Sequence, residues 1–172
     1  MIKFFAFEAD FVDSLRCIPM QARYNLDTCG IKLKLTDWNH MTPDERQALV
    51  EQPCTTELEI SKYRQDLQSL ISQRTGNAAS LLPIESNPAW VNASFIPETV
   101  QEKVIEFGTT LTIEQWASLS PLERFALIKL SRSGHENKNF PKALAEFNLM
   151  SGALVTHPTT NTPALPEFNK PM

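Results

Sequence analysis

The chain has 172 residues, 42% of them apolar and 21% charged, with a formal net charge of −4. These values exclude a disordered chain and allow one ordinary domain, or two small units sharing a core. No cluster of Lys and Arg is present to replace the counterions of a phosphate backbone, so nucleic acid is not an expected partner. The longest apolar runs fall far short of a bilayer span. The opening MIKFFAFEAD is interrupted by Glu8 and Asp10 and does not read as a secretory signal. The expectation is a cytoplasmic protein with no membrane partner.

FFAFEADFV fits two patterns. Phe5, Phe7, Ala9 and Phe11 suit a strand; Phe4, Phe7, Phe11 and Leu15 suit a helix. The preferred reading is a short extended start passing into a helix over residues 9–16.

Residues 18–50 then match residues 96–128 without a gap. The identical pairs include Ile18/Ile96, Pro19/Pro97, Gly30/Gly108, Trp38/Trp116, Pro43/Pro121, Glu45/Glu123, Arg46/Arg124 and Leu49/Leu127. These are turn residues, caps and apolar anchors, which a duplicated structural unit would keep. In each copy a Pro opens a helix and a Gly stops it. Ile31, Leu33 and Leu35 then alternate with lysines, and Thr109, Leu111 and Ile113 repeat the phase, predicting a short extended link with one buried face. Thr42-Pro43-Asp44-Glu45 and Ser120-Pro121-Leu122-Glu123 are capping boxes opening a second helix. Glu45 and Glu123 therefore read as caps, not as paired catalytic carboxylates. Arg46 and Arg124 read as solvated helix charges, with partner contact as the alternative. The two tryptophans read as wedges between helices.

Thr56-Glu57-Leu58-Glu59 opens a long helix, roughly residues 57–75, that joins the copies and turns Ile60, Tyr63, Leu67, Leu70 and Ile71 to one side. Residues 77–95 read as a loop anchored by Leu81, Leu82 and Trp90. The helix from Pro121 is apolar nearly all round, which marks a buried centre. A break at Gly134 follows, then a last short helix over residues 141–149 with Leu144 and Phe147 inward. The Pro- and Thr-rich residues 151–172, His157 among them, read as an irregular tail. The fold class is all-α: one helical domain over residues 1–150, built from the units 18–50 and 96–128, followed by that tail.

Cys17, Cys29 and Cys54 form no CxxC pair, and an odd count argues against a disulfide framework. Four thiolates for an iron–sulfur cluster are lacking. His40 lies between Cys29 and Cys54, but the spacings match no zinc module. No cofactor and no metal are expected; the thiols read as small, reduced and largely buried. No phosphate loop, dinucleotide fingerprint, nucleophile elbow or zincin helix is present in the sequence. Two polar stretches remain as candidates. One is Arg132-Ser133-Gly134-His135-Glu136-Asn137-Lys138-Asn139, either a solvated turn or a recognition loop. The other is Leu15-Arg16-Cys17-Ile18-Pro19-Met20, where Cys17 is either a helix-start thiol of lowered pKa or a buried inert one.

The stretches FFAFEADFVDSLRCIPM, LDTCGIKLKLTDWN and ERFALIKLSRSGHENKNF, in this order, resemble the nitrate reductase-associated protein family known in cyanobacteria. The resemblance covers residues 4–149. The family usually has Pro where this chain has Ser133, which bears only on the stiffness of that loop. The resemblance implies a non-enzymatic accessory protein needed for an active assimilatory nitrate reductase, an enzyme with a molybdenum–pterin centre and an iron–sulfur cluster fed by ferredoxin. It implies no catalytic residues. The expected partner is nitrate reductase, and the expected contacts are Arg16, Arg132, His135, Glu136, Asn137 and Lys138. The rival readings are a permanent small subunit of that enzyme and a thiol- or metal-dependent protein using Cys17, Cys29 and His40.

Overall fold

The computed structural model describes residues 4–132 and 138–150. The chain opens with a 3-10 turn, Ala6–Glu8, and a short helix α1, Ala9–Val12. The helix expected over residues 9–16 stops early because Leu15 turns into the left-handed region, φ 47°, to reach the core. Residues 4–12 form no strand. It is pinned instead by two carboxylates. Glu146 accepts from the Ala6 and Phe7 amides at 2.9 and 3.3 Å. Glu8 accepts from the Phe5 amide at 3.1 Å and the Met20 amide at 2.7 Å. Phe5 stacks on Phe7, and both meet Phe147 edge-on.

Helix α2, Met20–Cys29, starts just after Pro19, which is its N-cap. Gly30, at φ +72°, ends it. Strand β1, Ile31–Lys32, pairs antiparallel with β2, Ser80–Leu81. The expected alternation through Leu35 breaks here. Leu35 opens helix α3, Leu35–His40, and is exposed. Ile113 likewise opens α7, Ile113–Ser118, and is exposed, with no strand before it. The reason lies in the tryptophans. A short helix drives Trp38 and Trp116 fully inside, and each indole then needs an acceptor. Trp38 Nε1 donates to the Leu15 oxygen at 2.7 Å and Trp116 Nε1 to the Asn92 oxygen at 3.0 Å.

The capping boxes stand as read. Thr42, Thr56 and Ser120 cap α4, Pro43–Glu51, α5, Glu57–Thr75, and α8, Pro121–Ser131. In each, the Glu three residues on accepts from the cap amide. Such caps contribute about 1 kcal/mol each. Helix α6, Glu98–Glu106, follows Pro97, and Gly108 behind it has φ +72°. Helix α9, Phe140–Glu146, is the last described; Leu144 is buried and Phe147 half-buried. Helix α8 ends at Ser131. Gly134, Ser133, residues 151–172 and His157 lie outside the described residues.

The buried side chains fall into two clusters. One gathers Leu26, Trp38, Leu49, Val50, Tyr63, Leu67 and Ile71. The other gathers Val100, Val104, Trp116, Phe125, Leu127, Phe140 and Leu144 with Phe5 and Phe7. Helix α2 serves both: Met20 enters the second cluster, Ala22 and Leu26 the first. It packs against α4, α5 and α8, while α8 packs also against α6 and α9. Leu81 departs from expectation. It pairs with Ile31 across the ladder but its side chain is exposed, so the loop over residues 77–95 is held by backbone pairing there, not by Leu81.

Arg46 and Arg124 correct the sequence reading more sharply. Neither is a solvated helix charge or an outward contact. Arg46 donates to the oxygens of Trp38, Leu15 and Asn39 at 3.0, 3.3 and 3.1 Å. Arg124 is buried and donates to those of Trp90, Trp116 and Leu119 at 2.7, 3.3 and 2.7 Å. A short helix ends on carbonyls that its own ladder leaves only partly satisfied, and a guanidinium fork reaches several at once.

Candidate partner-binding groove

The same contacts that hold the second unit together build a groove. Arg124 fixes the backbone of Trp90. The Trp90 indole then meets Tyr24 and Phe125 edge-on, with centroids 6.2 and 5.1 Å away, and Tyr24 meets Phe125 at 5.4 Å. At the other end of the same loop, Leu82 donates its amide to the Gly30 oxygen at 2.9 Å. Between these two anchors the chain is drawn past α2 and the end of α8.

A cleft of about 570 Å³ results. Tyr24, Asp27 and Thr28 of α2 form one wall, Pro83, Ile84, Pro88, Trp90 and Val91 another, and Lys129 of α8 and Arg132 just past its end close the cleft. A second cleft, about 490 Å³, lies against Cys17, Ile18, Ile31, Leu33 and Leu35, with Arg23 and Lys32 on its walls. Asp27, Leu82 and Lys129 line both. Lys129 Nζ sits 2.6 Å from Asp27 Oδ2 and 5.1 Å from the Phe125 ring centre, so its cation is held at the junction. Burial pushes the Tyr24 hydroxyl up from its ordinary pKa, opposed in part by a hydrogen bond with Trp90.

The expected contact residues scatter. Arg132 is exposed and lines the first cleft. Arg16 is exposed and directly precedes Cys17, a wall residue of the second. Lys138 is exposed just ahead of α9 and lines neither. His135, Glu136 and Asn137 lie outside the described residues. Sequence reasoning passed over Tyr24, Asp27, Lys129 and residues 82–91 as a site. The available signal was Lys129, a lone charge in the otherwise apolar run FALIKL.

The thiols show little chemistry. Cys29 and Cys54 are buried, and burial pushes them up to about 11 and about 12. Cys17 is half-buried and stands two residues ahead of the N-cap Pro19, outside the first turn of α2. That end of the helix is served instead by Glu8. His40 is exposed at the end of α3. Among the described residues, no three His, Cys, Asp or Glu side chains gather as a metal would need. No helix among them is long and apolar enough to cross a membrane.

Against known families, residues 4–147 match the one described as conserved nitrate reductase-associated protein. The chain belongs to that family. The match spans both clefts, so the groove of this nitrate reductase-associated protein lies wholly within the family region. No curated protein and no solved structure matches.

Proposed function

We propose that this chain is a non-enzymatic accessory protein that binds an assimilatory nitrate reductase and aids its folding, maturation or cofactor loading. The family match over residues 4–147, whose name states association with that enzyme, carries the reading. The groove supports it, because an open apolar channel with charged walls suits another protein better than it suits bond chemistry. Arg16, Arg132, His135, Glu136, Asn137 and Lys138 are the proposed contacts, with Arg132 the best placed. The matching order of helix, glycine, tryptophan helix and capped helix in residues 18–50 and 96–128 is read as an internal duplication.

The test is to express the cognate reductase with and without this chain, then measure its specific activity and molybdenum content. A maturation aid raises both when co-expressed and raises neither when added to the finished enzyme. Equal activity and metal content without the chain would contradict the proposal. Activation by late addition, at fixed stoichiometry, would identify a permanent subunit instead.

A further inference from the structure

We infer that the two clefts form one groove that takes an extended, acidic segment of the reductase, aliphatic residues seated between its carboxylates. This rests on the proposed function and names the surface and the chemistry by which it works. Three observations carry it. First, Asp27, Leu82 and Lys129 line both clefts, so the channel continues from the Trp90 and Pro88 end to the Cys17 and Leu35 end. An elongated channel suits a chain better than a compact ligand.

Second, its rims are apolar yet wet. Leu35, Ile84 and Val91 expose 48%, 53% and 51% of their surface beside the channel. Wet apolar side chains grouped around a channel mark a binding surface rather than an ordinary face. Pro83, Pro88, Tyr24 and Trp90 add flat walls against which an extended backbone packs without a large ordering cost.

Third, positive charge predominates along the channel. Arg23, Lys32, Lys129 and Arg132 line the channel against only Asp27 and Glu85. Yet the chain as a whole is acidic, with a net charge of −4. Asp27 is occupied by Lys129 and the Arg23 charge acts on Glu8, so the remaining excess is set by Lys32 and Arg132 against Glu85. Such a local excess attracts carboxylates, fixes their register and speeds encounter.

The experiment uses the full chain with the cofactor-free cognate reductase. Lys32→Glu and Arg132→Glu are combined, since both side chains are exposed and their reversal leaves the core alone. Affinity is expected to fall at least about tenfold, with wild-type binding weakening as salt rises. A photo-crosslinking residue at Ile84 is expected to capture a reductase peptide rich in Asp or Glu and aliphatic residues. The same probe at Ile105, exposed on α6 and outside both clefts, is expected to capture none. Unchanged affinity in the charge-reversed variant overturns the inference and leaves the functional reading intact. So does capture at Ile84 of this chain itself or of a second copy. No binding by the wild-type chain overturns both.

Discussion

Arg124 Nη1 donates to the main-chain oxygen of Leu119 at 2.7 Å, tying the end of one helix to the body of the next. Its Nε holds the Trp90 oxygen at 2.7 Å, so one buried guanidinium links α7, α8 and the wall of the groove. Arg124→Ala leaves the Trp90 and Leu119 oxygens to find new partners, while Trp116 keeps the Leu119 amide, and a cost of about 3 kcal/mol in urea unfolding is expected. Arg124→Lys should recover less than half of it, since an ammonium lacks the planar fork. Arg46→Ala should cost less, about 1–2 kcal/mol, because Arg46 is only half-buried and water can replace part of what it gives. Equal, negligible losses in both would mean that these contacts do not hold the units together.

Gly30 and Gly108 both sit at φ +72°, but their surroundings differ. A Cβ on Gly30 would lie 2.6 Å from Ile84 Cγ1 and 2.9 Å from the Leu82 oxygen, whereas one on Gly108 would meet nothing within 4 Å. Gly108→Ala should therefore cost only the left-handed penalty, about 1 kcal/mol. Gly30→Ala should cost about 2 kcal/mol more and displace residues 82–84 from the groove wall. Thermal unfolding checks the first part, and reductase binding by the Gly30 variant checks the second.

Much of this architecture was legible in the residues. Thr56 with Glu59 marked the start of α5, and Gly76 ends it with the left-handed φ such a stop needs. The all-apolar run after Pro121 marked the buried helix correctly. Helices α3 and α7 were missed for a physical reason. At six residues they show too little period to rival a short alternating pattern, and Lys34 offers α3 no side-chain cap. Thr112 and Gln115 do form a capping box, and that signal could have revealed α7. The roles of Arg46 and Arg124 were hidden because their partners are backbone oxygens, which no side-chain pattern records. The groove was hidden because residues from α2, α8 and the 82–91 loop meet only through tertiary packing.

The three thiols should differ in reactivity. With pKa pushed up to about 11 and about 12, Cys29 and Cys54 hold their protons at pH 8. The thiolate fraction there is about 0.1% or less. A disulfide reagent at pH 8 should titrate one thiol, Cys17, in the folded chain and three after denaturation. Rapid reaction of two or more in the folded chain would favour the thiol reading.

Glu8 gives a pH signature of definite sign. Burial raises its pKa above 4.5; the Met20 and Phe5 amides and the Arg23 charge oppose this, and Glu146 adds to it. The folded state therefore holds this proton more tightly than the unfolded chain does. Its contribution is fully present below the unfolded value and is lost as pH rises through the folded one. Glu8→Gln lacks that dependence. Urea unfolding from pH 4 to pH 7 should show the stability advantage of wild type over the variant narrowing as pH rises. A gap that widens would mean that the amide hydrogen bonds outweigh burial.

The most direct measurement is a co-expression pull-down with the cognate nitrate reductase in cofactor-free and cofactor-loaded forms. Retention of the cofactor-free form, with the loaded form binding weakly, is the result expected of an accessory protein that acts before the enzyme is complete. No retention of either form would contradict the account at its centre.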